Sequence, residues 1–171
     1  MALPVLKIWQ KCAALPAGQW LFARILCAKA PYFSTIRPRI TQLDAQTCEV
    51  RLKKRRAVQN HIGTVHAIAM CNMAELAGGL LTDAALPPTH RWIPKGMSVD
   101  YLAKAETDLV ARARFDTTPA FGAAAELPVT VEILDARQQT VLRAHRDVGV
   151  AEERIGRWLL SGSETCSISR F

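Results

Sequence analysis

The residues best suited to chemistry lie in one stretch, "NHIGTVHAIAMCNMAELAGG", running from Asn60 to Gly79. Asn60, Gly63 and His66 stand three residues apart ahead of a run rich in Ala, Leu and Met, and one carboxylate, Glu75, falls inside that run. The run reads as a helix from about Thr64 to Leu81, closing at or just beyond Gly78-Gly79. The first N–H groups of a helix have no partner within it and carry the positive end of its dipole, so they suit an oxygen that is negative or becoming so. The expected donor is the backbone N–H of Ala67, with Gly63 allowing a tight approach of the chain and the small Ala67 and Ala69 side chains leaving room. Asn60 would orient loop groups or donate to a substrate carbonyl, and His66 would donate or cap the helix. A carboxylate between apolar helices is expected to have a raised pKa, which suits a general base. The plainer alternative makes Glu75 a helix-surface acid preceded by loop and capping residues.

Spacing adds a constraint. Glu75 lies nine residues after His66, half a turn away in angle and about 13.5 Å along the axis. One helix therefore does not bring the Ala67 N–H and Glu75 to the same reacting atom. Two antiparallel copies side by side would, each site pairing the helix start of one subunit with the carboxylate of the other, which predicts an obligate dimer.

The elements that must position these groups follow from the rest of the chain. Its 171 residues suffice for one domain with a real core, and 50% hydrophobic with 22% charged residues is a globular composition. Residues 1–34 read as an N-terminal helical extension broken near "LPAG", residues 35–153 as the main domain, and residues 154–171 as a loosely held tail. Within the domain "RITQLDAQTCEVRLKKR" reads as strand, turn near Asp44–Gln46 and strand. After the helix, "DAALPPTHRWIPKG" reads as a Pro-rich loop. "MSVDYLAKA", "DLVARARF", "LPVTVEIL" and "TVLRAHRDVGVA" then read as strands, with a turn at "DARQQ". One buried helix followed by antiparallel strands is an α+β pattern, a curved sheet wrapped around one helix.

The net charge of +7 is uneven: residues 1–60 hold 11 Lys/Arg against 2 Asp/Glu, the remainder 11 against 13. A basic front half reads as a solvated face, or as a site for an anionic ligand, an acidic membrane surface or nucleic acid. Nucleic acid fits worst, since Lys53-Lys54-Arg55-Arg56 has no interleaved aromatics to stack on bases. "GQWLFARILCAKAPYF" is too interrupted by Arg24 and Lys29 to span a bilayer, and its apolar stretch is too short and late for a signal peptide. It is expected to pack on the domain, with a helix lying on a membrane as the alternative. Five scattered cysteines without a CxxC read as free thiols of a reducing cytoplasm, Cys71 among them as a small core thiol. His61, His66, His90 and His145 form no compact metal motif, and neither a P-loop nor a GxSxG elbow is present.

The pattern Asn60-x-x-Gly63-x-x-His66 with Glu75 nine residues on resembles the hotdog-fold thioesterase superfamily, in particular the phenylacetate-degradation type of acyl-CoA thioesterase. "MSVDYLAKAETDLVARA" is similar to a strand pair of those proteins, and the resemblance covers about residues 35–150. With "RWIPKGM" added, the chain is more closely similar to an uncharacterised hotdog family carrying an extra helical N-terminus. The resemblance implies a hotdog fold, a homodimer or tetramer with sheets joined edge to edge, and hydrolysis of an acyl-CoA or acyl-carrier thioester. No metal or cofactor is implied beyond coenzyme A as part of the substrate. By carry-over, the Ala67 N–H becomes the oxyanion donor, Glu75 activates water or attacks the thioester carbon, and Asn60 and His66 orient, with Gly63 between them. Arg56, Arg91 and Lys104, with Lys53, Lys54 and Arg55, are candidates for the coenzyme A phosphates. Two departures stand out. "HAI" replaces the family's "HGG", so Ile68 adds bulk beside the donor and bears on the acyl chain accepted. The family's polar strand residue falls near Pro94, leaving Ser98 as its candidate. Both departures favour the alternative, a non-catalytic acyl- or lipid-binding hotdog protein.

Overall fold

Over Thr47–Leu52, Leu109–Phe115 and most of Thr140–Glu152 inward and outward side chains alternate with a period of two, as strands of a one-sided sheet do. The computed structural model describes residues 5–122 and 124–152. Among these, β1 (Arg39–Leu43), β2 (Thr47–Leu52), β3 (His90–Tyr101), β4 (Leu109–Phe115), β5 (Ala124–Leu134) and β6 (Thr140–Glu152) form one antiparallel sheet in the order β1-β2-β4-β5-β6-β3. The expected turn between β1 and β2 is made by Asp44, whose Oδ1 accepts from the N–H groups of Gln46 and Thr47 at 2.8 Å each. The curved sheet wraps around α3 (Ala67–Ala85). Met73, Leu76 and Leu81 of α3 are buried with Ile40, Val50, Leu52, Leu109, Ile133 and Leu142 of the sheet. Each such side chain contributes about 1.5–3 kcal/mol.

The outer face of the sheet carries a different order. Glu49 lies opposite Arg112, Arg112 opposite Glu132, Glu132 opposite Arg143, and Arg143 opposite Asp100, so acid and base alternate across β2, β4, β5, β6 and β3. Ion pairs close at 3.2 Å between Arg112 and Glu49 and at 3.0 Å between Arg143 and Glu132. Opposite charges on facing strands support this register over its slipped alternatives.

Two boundaries differ from expectation. The helix begins at Ala67 and runs through Gly78-Gly79 to Ala85. Those glycines are buried and serve packing: a Cβ at Gly78 would stand 3.1 Å from Cδ of Arg146, and one at Gly79 would stand 3.5 Å from the Trp92 ring. β3 begins at His90 and absorbs the supposed loop "HRWIPKG", with a register shift between Pro94 and Gly96. Proline is tolerated there because β3 is an edge strand and the shift removes the need for a ladder donor.

Ahead of the sheet, α1 (Val5–Ala13) and α2 (Gly18–Lys29) pack through an edge-on contact of Trp9 with Phe22, ring centroids 5.1 Å apart. Gly18 starts α2 so close to the end of α1 that a Cβ there would lie 1.6 Å from the Cys12 carbonyl oxygen. α2 lies against β1, at the sheet edge opposite β3. The tail expected at residues 154–171 lies outside the described residues.

Candidate active site

The segment before α3 is a loop closed on itself. Asn60 Oδ1 accepts from the N–H groups of Ile62 and Thr64 at 3.1 Å each, and its Nδ2 donates to Thr64 Oγ1 at 2.8 Å. The Asn60 amide thus orients its own loop. Gly63 provides the positive φ of 79° that the turn requires. A Cβ there would meet nothing within 4 Å, so this glycine serves conformation and not a close approach. The loop is pinned at its far end, where the Val65 N–H donates to the Ala105 carbonyl and the His66 N–H to the Val58 carbonyl, both at 2.8 Å.

His66 then caps the helix. Its backbone is extended and its Nδ1 accepts from the Ile68 N–H at 3.1 Å, which puts the ring proton on Nε2. The His66 carbonyl takes the N–H groups of Ala69 and Met70. One donor of the first turn is left over: the Ala67 N–H has no partner among the described residues. Ile68 is exposed beside it. Lys104 is exposed next to Ala105 and so lies by the helix start, and Arg56 is exposed two residues before Val58, on the other strap of the loop.

Glu75 sits two turns further along α3, on the less buried stripe that also holds Ile68 and Cys71 at helical spacing. Cys71 is not the core thiol expected; its Sγ lies 3.2 Å from the Tyr101 hydroxyl of β3. Nor is Glu75 a free acid among apolar helices. Its Oε2 and Oε1 accept from Nε and Nη2 of Arg146, both at 2.8 Å, in a two-pronged ion pair. The Arg146 side chain has no exposed surface, whereas that of Glu75 is 36% exposed. The guanidinium also stands over the Trp92 ring, 4.7 Å from its centroid, and Trp92 Nε1 donates to Asp83 Oδ1 at 2.6 Å. Burial raises the Asp83 carboxyl above its ordinary pKa, against the opposing pull of the Trp92 hydrogen bond and the Arg146 charge. Arg146 Nη1 is buried without a partner among the described residues.

Two candidates lie elsewhere. Ser98 pairs with His145, and since neighbouring strand residues point to opposite faces, Ser98 faces away from Arg146 and Glu75. Arg91 lies beside Trp92 near the C-terminal half of α3 and donates to the His90 carbonyl, remote in its own chain from Ala67. Within one chain, then, Asn60, Gly63, His66, Ala67, Ile68, Arg56 and Lys104 gather at the helix start, and Glu75 stands about 12 Å down the axis from Ala67. Sequence reasoning missed Arg146. Its signal was available: Leu142, Ala144, Val148 and Val150 mark the inward phase of β6, and Arg146 is the cation in that phase.

A curved antiparallel sheet in this order around one central helix defines a hotdog-fold protein. The same fold is seen in the thioesterase HI1161 of Haemophilus influenzae, which is 14% identical with a TM-score of 0.67, the match covering 77% of this chain and 90% of that one. It is also seen in PA5026 of Pseudomonas aeruginosa, a protein of unknown function and probable thioesterase by its own description, at 21% identity, TM-score 0.67, and 81% and 97% coverage. A solved structure known as genomics APC5556 is 41% identical with a TM-score of 0.74, over 86% of this chain and 98% of that one. The chain belongs to the family described as Domain of unknown function (DUF4442), whose model matches residues 18–150. Comparison with curated proteins finds no match.

Proposed function

We propose that this protein hydrolyses the thioester of an acyl-CoA or acyl-carrier substrate, at sites completed between two subunits. The observation that carries the reading is the Ala67 N–H, unpartnered among the described residues, at the start of a helix whose open stripe presents an oriented carboxylate, Glu75. The N–H stabilises the oxygen of the tetrahedral intermediate, and Glu75 takes a proton from water as the water oxygen adds to the acyl carbon. Collapse breaks the carbon–sulfur bond, the proton held by Glu75 passes to the leaving sulfur, and a carboxylic acid and a thiol are released with the carboxylate restored. The exposed side chains of Arg56 and Lys104 suit the phosphates of the carrier. The thioesterase descriptions of HI1161 and PA5026 agree with the reading.

Dimer formation is supported by two uncovered surfaces that adjoin. The edge of β3 has no strand beside it among the described residues, and the Ile68–Cys71–Glu75 stripe lies next to it, joined by the Cys71–Tyr101 contact. Ile68, Ile93, Tyr101 and Leu102 are large apolar side chains exposed along this region.

The second reading, an acyl- or lipid-binding module, draws on one observation: both Glu75 oxygens already hold Arg146. The deciding experiment is hydrolysis of short, medium, long and aromatic acyl-CoAs by the wild type and Glu75→Gln, with folding of each checked by circular dichroism. The enzyme loses turnover by orders of magnitude with Glu75→Gln. A folded dimer that turns over none of the panel, yet binds an acyl-CoA, is the binding module.

A further inference from the structure

Among the described residues, the N-terminal layer leaves in solvent a face that globular proteins ordinarily cover. On α2, Trp20, Leu21 and Ile25 are 64%, 39% and 37% exposed, while Phe22 and Ala23 are buried on the opposite side. At 100° per residue, Trp20, Leu21, Arg24, Ile25 and Lys29 share one face about half a turn wide. Leu15 and Tyr32, also exposed, flank the helix at its two ends. The outside of α2 thus carries three large apolar side chains with two cations, Arg24 and Lys29, among them.

The charge around this face has one sign. Residues 5–43 contain Lys7, Lys11, Arg24, Lys29, Arg37 and Arg39 and no Asp or Glu. Arg24, Arg37 and Arg39 line a cleft of about 1040 Å³ between α2 and the start of β1, with Trp20 on its rim. None of the three forms an ion pair among the described residues. Burial, and then the charge of Arg37, lower the affinity of neighbouring Arg55 for its proton. The chain also holds this cleft in strained backbone: Ala17 and Arg37, both lining it, have positive φ values of 60° and 47°.

We propose that this face attaches the protein to the surface of an anionic phospholipid bilayer, with Trp20, Leu21 and Ile25 entering the headgroup–acyl boundary and the arginine-lined cleft receiving a lipid phosphate. Exposed apolar area and cations on one face supply both parts of binding to an anionic lipid surface, and a guanidinium offers two parallel donors to phosphate oxygens. A second copy of the chain fits poorly, because a two-fold contact would set Arg24, Lys29, Arg37 and Arg39 against their own copies. The attachment is to a surface, since no helix among the described residues is long and apolar enough to cross a membrane. The face adjoins β1, the sheet edge opposite β3, so it is independent of the proposed dimer contact and of thioester hydrolysis.

Sedimentation of the full chain with vesicles tests it. The protein should bind vesicles of phosphatidylcholine mixed with phosphatidylglycerol, fail to bind phosphatidylcholine alone, and detach as salt rises. Arg24→Glu/Arg39→Glu and Trp20→Ala, all at exposed positions and checked by thermal melting, should each weaken binding tenfold or more. Quenching of Trp20 fluorescence by brominated lipid should accompany binding. A folded protein that binds neither vesicle overturns the proposal, as does binding that survives both variants or is equal on the two vesicle types. Loss of acyl-CoA affinity in the same variants without lipid would instead assign the cleft to the substrate.

Discussion

A guanidinium without exposed surface must find its counter-charge inside the protein, and for Arg146 that carboxylate is Glu75. This changes what Glu75→Gln does. The variant removes the acid and also strands a buried cation, so it is expected to lose about 2–3 kcal/mol, less than for a fully enclosed pair because Glu75 is partly open to water. Glu75→Gln/Arg146→Met should recover most of that loss, since an apolar side chain of similar length suits the site between Trp92 and Gly78. Thermal melts of the two single variants and the double give the coupling directly. A double variant whose loss equals the sum of the two single losses would show that the ion pair does not couple the two residues. Arg146→Met alone leaves Glu75 able to reach water; its turnover reports how far the acid depends on being held in place.

At the scale of elements, α3 and the β3–β6 ladder share a polar seam inside an apolar core: Glu75, Arg146, Trp92 and Asp83. The raised pKa of Asp83 gives this seam a pH signature. The folded state holds a proton on Asp83 more tightly than the unfolded chain, so this stabilisation is full below the ordinary aspartate range and is lost as pH rises through the raised value. Asp83→Asn keeps an acceptor for Trp92 and removes the titration. Relative to the wild type, its melting temperature should therefore gain as pH rises through that window and stay level above it; an unchanged difference would show that Asp83 does not titrate there. Much of this architecture was legible in the sequence, because helix periodicity, strand alternation and the Asn60–His66 spacing are local. The seam was not. Glu75 and Arg146 are 71 positions apart, and their pairing depends on β6 lying next to β3 under the helix. Gly78-Gly79 read as a helix stop because glycine usually costs a helix stability; here the guanidinium and indole pressed against the backbone leave little room for larger residues. Pro94 read as a loop because its edge-strand exemption is a tertiary fact.

For the whole molecule, the distance between Ala67 and Glu75 in one chain makes a sharp prediction about assembly. Ala67 is the first helical residue, where proline is tolerated, and the preceding His66, with φ −64° and ψ 139°, already has the backbone that proline demands of its neighbour. Ala67→Pro thus deletes the proposed oxyanion donor, an N–H with no bond to lose among the described residues, and leaves the helix intact. It should fold and dimerise as the wild type does while losing about 10²–10³-fold in turnover. If each site joins the helix start of one subunit to the carboxylate of the other, two inactive proteins can rescue each other. A mixed dimer of Ala67→Pro with Glu75→Gln/Arg146→Met contains one site with both lesions and one with neither. Random re-association of equal amounts should then restore about a quarter of wild-type activity, as half the dimers carry one intact site of two. Sites confined to one chain would restore none, because every subunit then carries a lesion in its own site. The mixing experiment, read beside sedimentation of the same samples, separates a shared site from a dimer that merely stabilises two independent ones.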